Sequence, residues 1–139
     1  MAQSTPTVMK DGNVAVVREY FNALRTGDMG KLGSIFADDI IWHQPGASHL
    51  SMTYHGKEKV FALFGTFMEL SGGTFQIDDV EAIMSNGDLV SAILHFQAER
   101  SGETMSMKGV DLMRVENGLI KEVWLFSANP AAEDKFWGA

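Results

Sequence analysis

The sequence predicts an α+β domain, with helices in the first half and an antiparallel sheet in the second. Two observations carry this. Apolar residues recur at helical spacing up to Leu70, and from residue 74 the period changes to strict alternation. The alternating half is cut by Asn86-Gly87, Ser101-Gly102 and Asn117-Gly118. These pairs are hairpin turn signals, so neighbouring strands are expected to run antiparallel.

Each element follows from its local pattern. Val14, Val17, Tyr20, Phe21 and Leu24 mark a first helix from Asn13 to Thr26, with Gly27 as its stop. Asp28 is placed to cap a short second helix carrying Met29, Leu32, Ile35 and Phe36. The run IIWHQ after Asp39 reads as a short strand closed by the Pro45-Gly46 turn. A loop then leads to Gly56. Val60, Phe61, Phe64, Phe67 and Met68 give a helix from Lys57 to Leu70, ended by Ser71-Gly72-Gly73. Strands are expected over 74–84, 88–100, 103–115 and 119–127, with a short last helix holding Phe136 and Trp137. Residues 1–12 are polar and expected to be a flexible N-terminus; 13–139 are expected to form a single domain.

The totals exclude several classes of function. A chain of 139 residues has room for one domain, and 45% apolar with 21% charged is ordinary globular composition. The net charge of −7 argues against nucleic acid and anionic membrane as partners. The absence of cysteine excludes disulfides, thiolate nucleophiles and iron–sulfur ligation. MAQSTPTVMKDGN has neither the basic start nor the apolar run of a secretory signal, and no window approaches 18 apolar residues. A cytoplasmic protein is the expectation. With no Gly-rich phosphate loop and no Walker lysine, no cofactor is expected.

Alternation singles out one residue. In 88–100, Val90, Ala92, Leu94, Phe96 and Ala98 form a fully apolar row. In 103–115, the row Met105, Met107, Gly109, Asp111, Met113, Val115 is apolar except for Asp111. A carboxylate there is costly unless paired or protonated, and desolvation raises its pKa. Either it donates hydrogen bonds as a neutral acid, or it is a structural aspartate tied to backbone or water. His95 lies on the opposite, mixed face with Gln97 and Glu99, where solvent or a subunit contact is expected. Trp124 and Phe126 also point away from the core row, so a partner or the C-terminal segment should cover that face.

Three of the four histidines fall in WHQPGASHLSMTYHG, at positions 43, 49 and 55. Their spacing is wide and the segment is loop, so no metal site is expected. As a general base a histidine is suitable, and three lie in this segment. If Trp42 and Gln44 share the pocket face, however, His43 points away from it.

The order REYFNALRTGDMGKLGSIFADDIIW, then a Pro-Gly turn, a helix begun by glycine, and VDLMRVENGLIKEVW resembles the nuclear-transport-factor-2-like superfamily. Within it the chain is most similar to SnoaL-like polyketide cyclases and ketosteroid isomerases. The resemblance spans roughly residues 13 to 128. It implies a cone: a strongly curved antiparallel sheet packed against the N-terminal helices and enclosing a pocket. It also implies a homodimer through the outer face of the sheet. The isomerases use a tyrosine and a protonated aspartic acid as an oxyanion hole, with an aspartate base. In those isomerases an apolar site keeps that aspartic acid neutral. By resemblance the tyrosine falls on Tyr20, the acid on Asp111 and the base on Gln44, and an amide cannot act as a base.

The expected site therefore has Asp111, Tyr20 and His43 as catalytic residues. Trp42, Gln44, Tyr54, Phe64, Leu94, Phe96, Met113 and Val123 are expected to line it. The expected ligand is a small apolar oxygenated molecule, turned over by isomerisation, cyclisation, epoxide opening or dehydration. The alternatives are a dimer that binds a ligand without turnover and an interaction domain.

Overall fold

The computed structural model describes residues 4–138, with side chains from 12 onward. The elements run α1 (Ser4–Thr26), α2 (Met29–Ile35), β1 (Phe36–Gln44), β2 (Met52–His55), α3 (Lys57–Leu70), β3 (Gln76–Asn86), β4 (Leu89–Arg100), β5 (Glu103–Glu116), β6 (Leu119–Ser127) and α4 (Pro130–Trp137). The six strands form one sheet in the order β2-β1-β6-β5-β4-β3. The α+β class and the curved, unclosed sheet against helices are as expected.

Three boundaries differ. Helix α1 begins at Ser4, not Asn13, and so takes in residues 4–12 of the expected N-terminal segment; residues 1–3 lie outside the described residues. Pro6 falls in the first turn, where a missing N–H breaks no helical bond, and only Gly12 opposes the helix, by about 1 kcal/mol. Phe36 belongs to β1 and not to α2, because the chain passes from helix to strand without a loop. The expected loop after Pro45 contains a short strand, β2, paired antiparallel to β1 with Trp42 opposite Tyr54. The sheet is also mixed: β1 pairs parallel with β6.

Turn chemistry sets the rest of the sheet. The registers Asn86↔Leu89, Arg100↔Glu103 and Glu116↔Leu119 make all three hairpins two-residue loops. Ser101-Gly102 and Asn117-Gly118 have positive φ at both positions, the I′ pattern whose twist matches the flanking strands. At the first hairpin only Gly87 is positive, so the turn is Gly87-Asp88 rather than Asn86-Gly87. Register shifts in β3 and near Arg114 in β5 bend the sheet around the helices.

The helices end as their sequences require. Gly27 (φ 72) stops α1, and the Asp28 carboxylate accepts the Lys31 N–H at 3.0 Å to cap α2. Asn129 caps α4 by accepting the Ala132 N–H at 3.1 Å, with Pro130 in the first turn. The core lies between the concave face and α1, α2 and α3: Val17, Leu32, Ile40, Val60, Val90, Val115, Ile120 and Val123 are all fully buried. No helix among the described residues is long and apolar enough to cross a membrane.

Candidate active site

A cavity of about 530 Å³ opens between the concave face of the sheet and the helices. That lies within the range of small-molecule sites. Its wall is aromatic: Tyr20 from α1, Trp42 from β1, Phe64 and Phe67 from α3, Phe96 from β4, Phe75 before β3 and Trp137 from α4. Trp42 meets Phe64 edge-on at 5.0 Å, and Phe67 packs on Trp137 at 4.7 Å. Such pairs hold the wall more rigidly than aliphatic residues would.

Asp111 stands on the floor. Strand alternation puts it on the inner row of β5, across from Ala92 and Leu125, and it is 7% exposed. Among the described residues its carboxyl has no side-chain hydrogen-bond partner, yet no fully enclosed side-chain oxygen or nitrogen lacks one. Its oxygens therefore face the cavity. Burial pushes its pKa up to about 7, assisted by the nearby Glu133. Tyr20 is 1% exposed and lines the same cavity. Burial, and then the charge of Asp111, push its hydroxyl well above its ordinary range, so it remains a neutral donor.

Gln44 is buried beside them and accepts the Trp42 Nε1–H through Oε1 at 3.1 Å. That bond fixes the orientation of the amide. Phe64, Leu94 and Phe96 line the wall as expected. Gly109, two residues before Asp111, lets β5 pass close to β6 and the Phe96 ring: a Cβ there would stand 2.8 Å from the Phe126 carbonyl and 3.0 Å from the Phe96 ring.

Four expected site residues lie elsewhere. His43 points to the outer face: Nε2 pairs with Glu122 Oε2 at 2.7 Å, Nδ1 lies 3.3 Å from Thr53 Oγ1, and the ring stacks on Trp124 at 5.5 Å. Alternation with Trp42 and Gln44 dictates this, and the Pro-Gly turn does not reverse it. Tyr54 ties the loop together, its hydroxyl donating to the Leu50 carbonyl at 2.7 Å, and does not line the cavity. Met113 and Val123 are fully buried in the core, further along their strands than the cavity reaches. The remaining loop histidines also lie outside. His49 contacts the Gly138 carbonyl at 2.8 Å, and His55 is exposed. Among the described residues no group of three or more His, Cys, Asp or Glu could hold a metal ion.

One residue that sequence reasoning missed faces the cavity: Glu133, on α4. Its Oε2 accepts the Trp137 Nε1–H at 3.3 Å. Burial pushes its pKa up, opposed by the hydrogen bonds from Ser127 and Trp137. The signal was faint: Asn-Pro followed by a carboxylate and Phe-Trp marks a capped amphipathic turn, but nothing along the chain says which way it folds.

His95 takes part in a chain of contacts on the outer face, Ser106 Oγ to His95 Nε2 at 2.9 Å and His95 Nδ1 to Asp78 Oδ1 at 2.6 Å. The connectivity is that of a nucleophile triad. Neither Ser106 nor His95 lines the cavity that holds Asp111 and Tyr20, however.

The curved sheet and the helices thus enclose an apolar cavity that holds a buried carboxyl and a buried tyrosine. The chain belongs to the SnoaL-like family: the SnoaL-like domain matches residues 17–123. A relative from Mycobacterium tuberculosis, an uncharacterized protein, is 31% identical over 128 residues, covering 91% of this chain and 97% of its own. A crystal structure from Xanthomonas campestris, of a protein of unknown function with a cystatin-like fold, superimposes with a TM-score of 0.88 at 43% identity. It covers 91% of this chain and 98% of that one. Bal32a, from a soil-derived mobile gene cassette, gives a TM-score of 0.88 at 29% identity, over 92% and 98% of the two chains.

Proposed function

We propose that the protein is a cofactor-independent acid–base enzyme acting on a small, apolar, oxygenated molecule. Isomerisation and cyclisation are the favoured chemistries. The observation that carries this is the Asp111 carboxyl, buried on the floor of an aromatic cavity without a protein partner and beside Tyr20. Below pH about 7 the protonated Asp111 carboxyl, together with the neutral Tyr20 phenol, supplies two donors to the cavity. They stabilise negative charge developing on a substrate oxygen, where preorganised donors are worth far more than in water. The aromatic wall fits a flat apolar skeleton, and the two acids disfavour carboxylate or phosphate ligands.

Binding of 2-naphthol, a planar phenol, tests the reading by fluorescence titration. Asp111→Asn keeps a donor and should bind within a few-fold of wild type. Asp111→Ala and Tyr20→Phe should each weaken binding by roughly tenfold, the worth of one hydrogen bond in a dry site. Equal binding in wild type, Asp111→Ala and Tyr20→Phe would defeat the proposal. The fixed amide of Gln44 supports a second reading, a protein that holds such a ligand without turning it over.

The proposed partner is a second copy of the chain, seated on the outer face of the sheet. Registers Ile93↔Val110, Val110↔Phe126 and Leu112↔Trp124 bring five apolar residues side by side there, and Phe126 is 56% exposed. Lys108 and Arg114 alternate with Glu81, Glu116 and Glu122 around them, the mixed rim that a self-complementary two-fold contact uses.

A further inference from the structure

Tyr20 and Asp111 both donate, and Gln44 cannot take a proton, so the reaction proposed above lacks an acceptor. The cavity restricts where one can come from. Among the described residues only four ionisable side chains line it: Tyr20, Arg25, Asp111 and Glu133. The guanidinium of Arg25 has no lone pair to offer, and its position on the exposed end of α1 sets it at the mouth. The three loop histidines are engaged elsewhere or exposed.

We propose that Glu133, carried into the cavity by the C-terminal helix, is the catalytic base, working with Tyr20 and Asp111 on an enolisable ketone. The assignment rests on the acid–base reading of the site and adds the substrate class and the missing acceptor. Two features fit Glu133 to the role. First, its carboxylate is oriented: the Trp137 indole N–H donates to Oε2 at 3.3 Å. Donors aimed at a carboxylate favour its charged form, whereas Asp111 has none. Burial pushes both carboxyls up, but at Glu133 a hydrogen-bond donor opposes that shift, whereas at Asp111 none does among the described residues. Secondly, the helix that carries Glu133 is fixed. The Asp134 carboxylate accepts the Ala47 N–H at 3.0 Å, the His49 N–H donates to the Gly138 carbonyl at 3.0 Å, and Arg100 donates to the Phe136 carbonyl at 2.8 Å.

In the reaction, a Glu133 oxygen takes a proton from the carbon next to the carbonyl. The C–H electron pair becomes the new C=C bond, and the C=O π pair moves onto oxygen. Tyr20 and Asp111 hydrogen-bond that oxygen. Return of that proton to a conjugated carbon completes an isomerisation. Exchange of the Glu133 proton with solvent, followed by return of the solvent proton to the same carbon, completes an exchange, with no further co-reactant.

The test uses 2-tetralone, whose enol has the shape of 2-naphthol, and follows exchange of its α-protons in deuterated water by NMR. Wild type should accelerate exchange over buffer. Glu133→Gln, isosteric and still able to accept from Trp137, should lose at least about 100-fold of that rate. It should still bind 2-naphthol within a few-fold and unfold at the same temperature, and Glu133→Asp should recover part of the rate. Undiminished exchange in Glu133→Gln would overturn the assignment, as would loss of 2-naphthol binding in that variant, which would make Glu133 structural. No acceleration by wild type, with 2-naphthol still bound through Tyr20 and Asp111, would overturn the base and the ketone and leave the donor site standing. Failure of wild type to bind 2-naphthol would instead remove the donor site.

Discussion

The indole N–H of Trp42 donates to the amide oxygen of Gln44 at 3.1 Å, two residues along the same strand and on the same buried face. That pair fills the position where the resembling isomerases keep their base. The amide is held by a side chain that is itself wall, so the position is built for a neutral acceptor.

Replacing Gln44 by Glu tests this. The carboxylate would keep the Trp42 bond but add a third acid to a cavity that already holds Asp111 and Glu133. Like charge in a dry space raises neighbouring carboxyls, so Asp111 should titrate above its value of about 7. Carboxyl chemical shifts measured against pH would show it. A titration unchanged from wild type would mean that position 44 is insulated from Asp111.

The same burial makes Asp111 a stability liability. Its folded pKa, about 7, lies above the ordinary 3.8, so the unfolded chain releases this proton first as pH rises. Stability from this group is therefore unaffected below pH 3.8, falls between there and pH 7, and then levels off, by roughly 4 kcal/mol at most. Asp111→Asn removes the ionisation. Urea unfolding should show the variant gaining on wild type as pH rises through that window. A gap independent of pH would mean that Asp111 titrates normally in the fold.

Asp111 was legible in the sequence because a strand has period two and one charged letter in an apolar row is conspicuous. The hairpins were legible because Ser-Gly and Asn-Gly supply the positive φ that two-residue loops need. Glu133 was not, since its place depends on α4 folding back over the open side, through bonds such as Asp134 to Ala47 that join residues far apart in the chain. Met113 and Val123 failed as wall residues for a related reason. Alternation assigns a face, but not how far along the strand the cavity extends.

Gly109 is predicted to be intolerant of any side chain. A Cβ at 2.8 Å from the Phe126 carbonyl forces the β5–β6 backbone apart, and at 3.0 Å from Phe96 it displaces a wall ring. Gly109→Ala should cost about 1–3 kcal/mol of stability by overpacking and weaken 2-naphthol binding as well. Thermal unfolding and the fluorescence titration measure both.

His43 is predicted to matter for the sheet and not for the ligand. Removing the ring loses the 5.5 Å stack on Trp124 and the 2.7 Å contact with Glu122. His43→Ala should cost about 1–2 kcal/mol and leave 2-naphthol binding and tetralone exchange unchanged. A loss of exchange with stability intact would return His43 to the chemistry.

The outer face gives the last prediction. Phe126 is 56% exposed at the centre of the Val110–Trp124 strip, a large ring in water unless a second sheet covers it. Strand alternation sets its side chain opposite to the inner row of Leu125 and Ser127, while Phe126 itself also borders the cavity, so assembly and binding are measured together. Phe126→Asp places a carboxylate at the centre of a two-fold contact, opposite or close to its own symmetry mate, where like charges repel. Light scattering after size exclusion should give a dimer near twice 15.3 kDa for wild type and a monomer for the variant. The variant should still bind 2-naphthol, because the cavity is built from one chain. A monomeric wild type would show that the apolar strip does not hold two copies together.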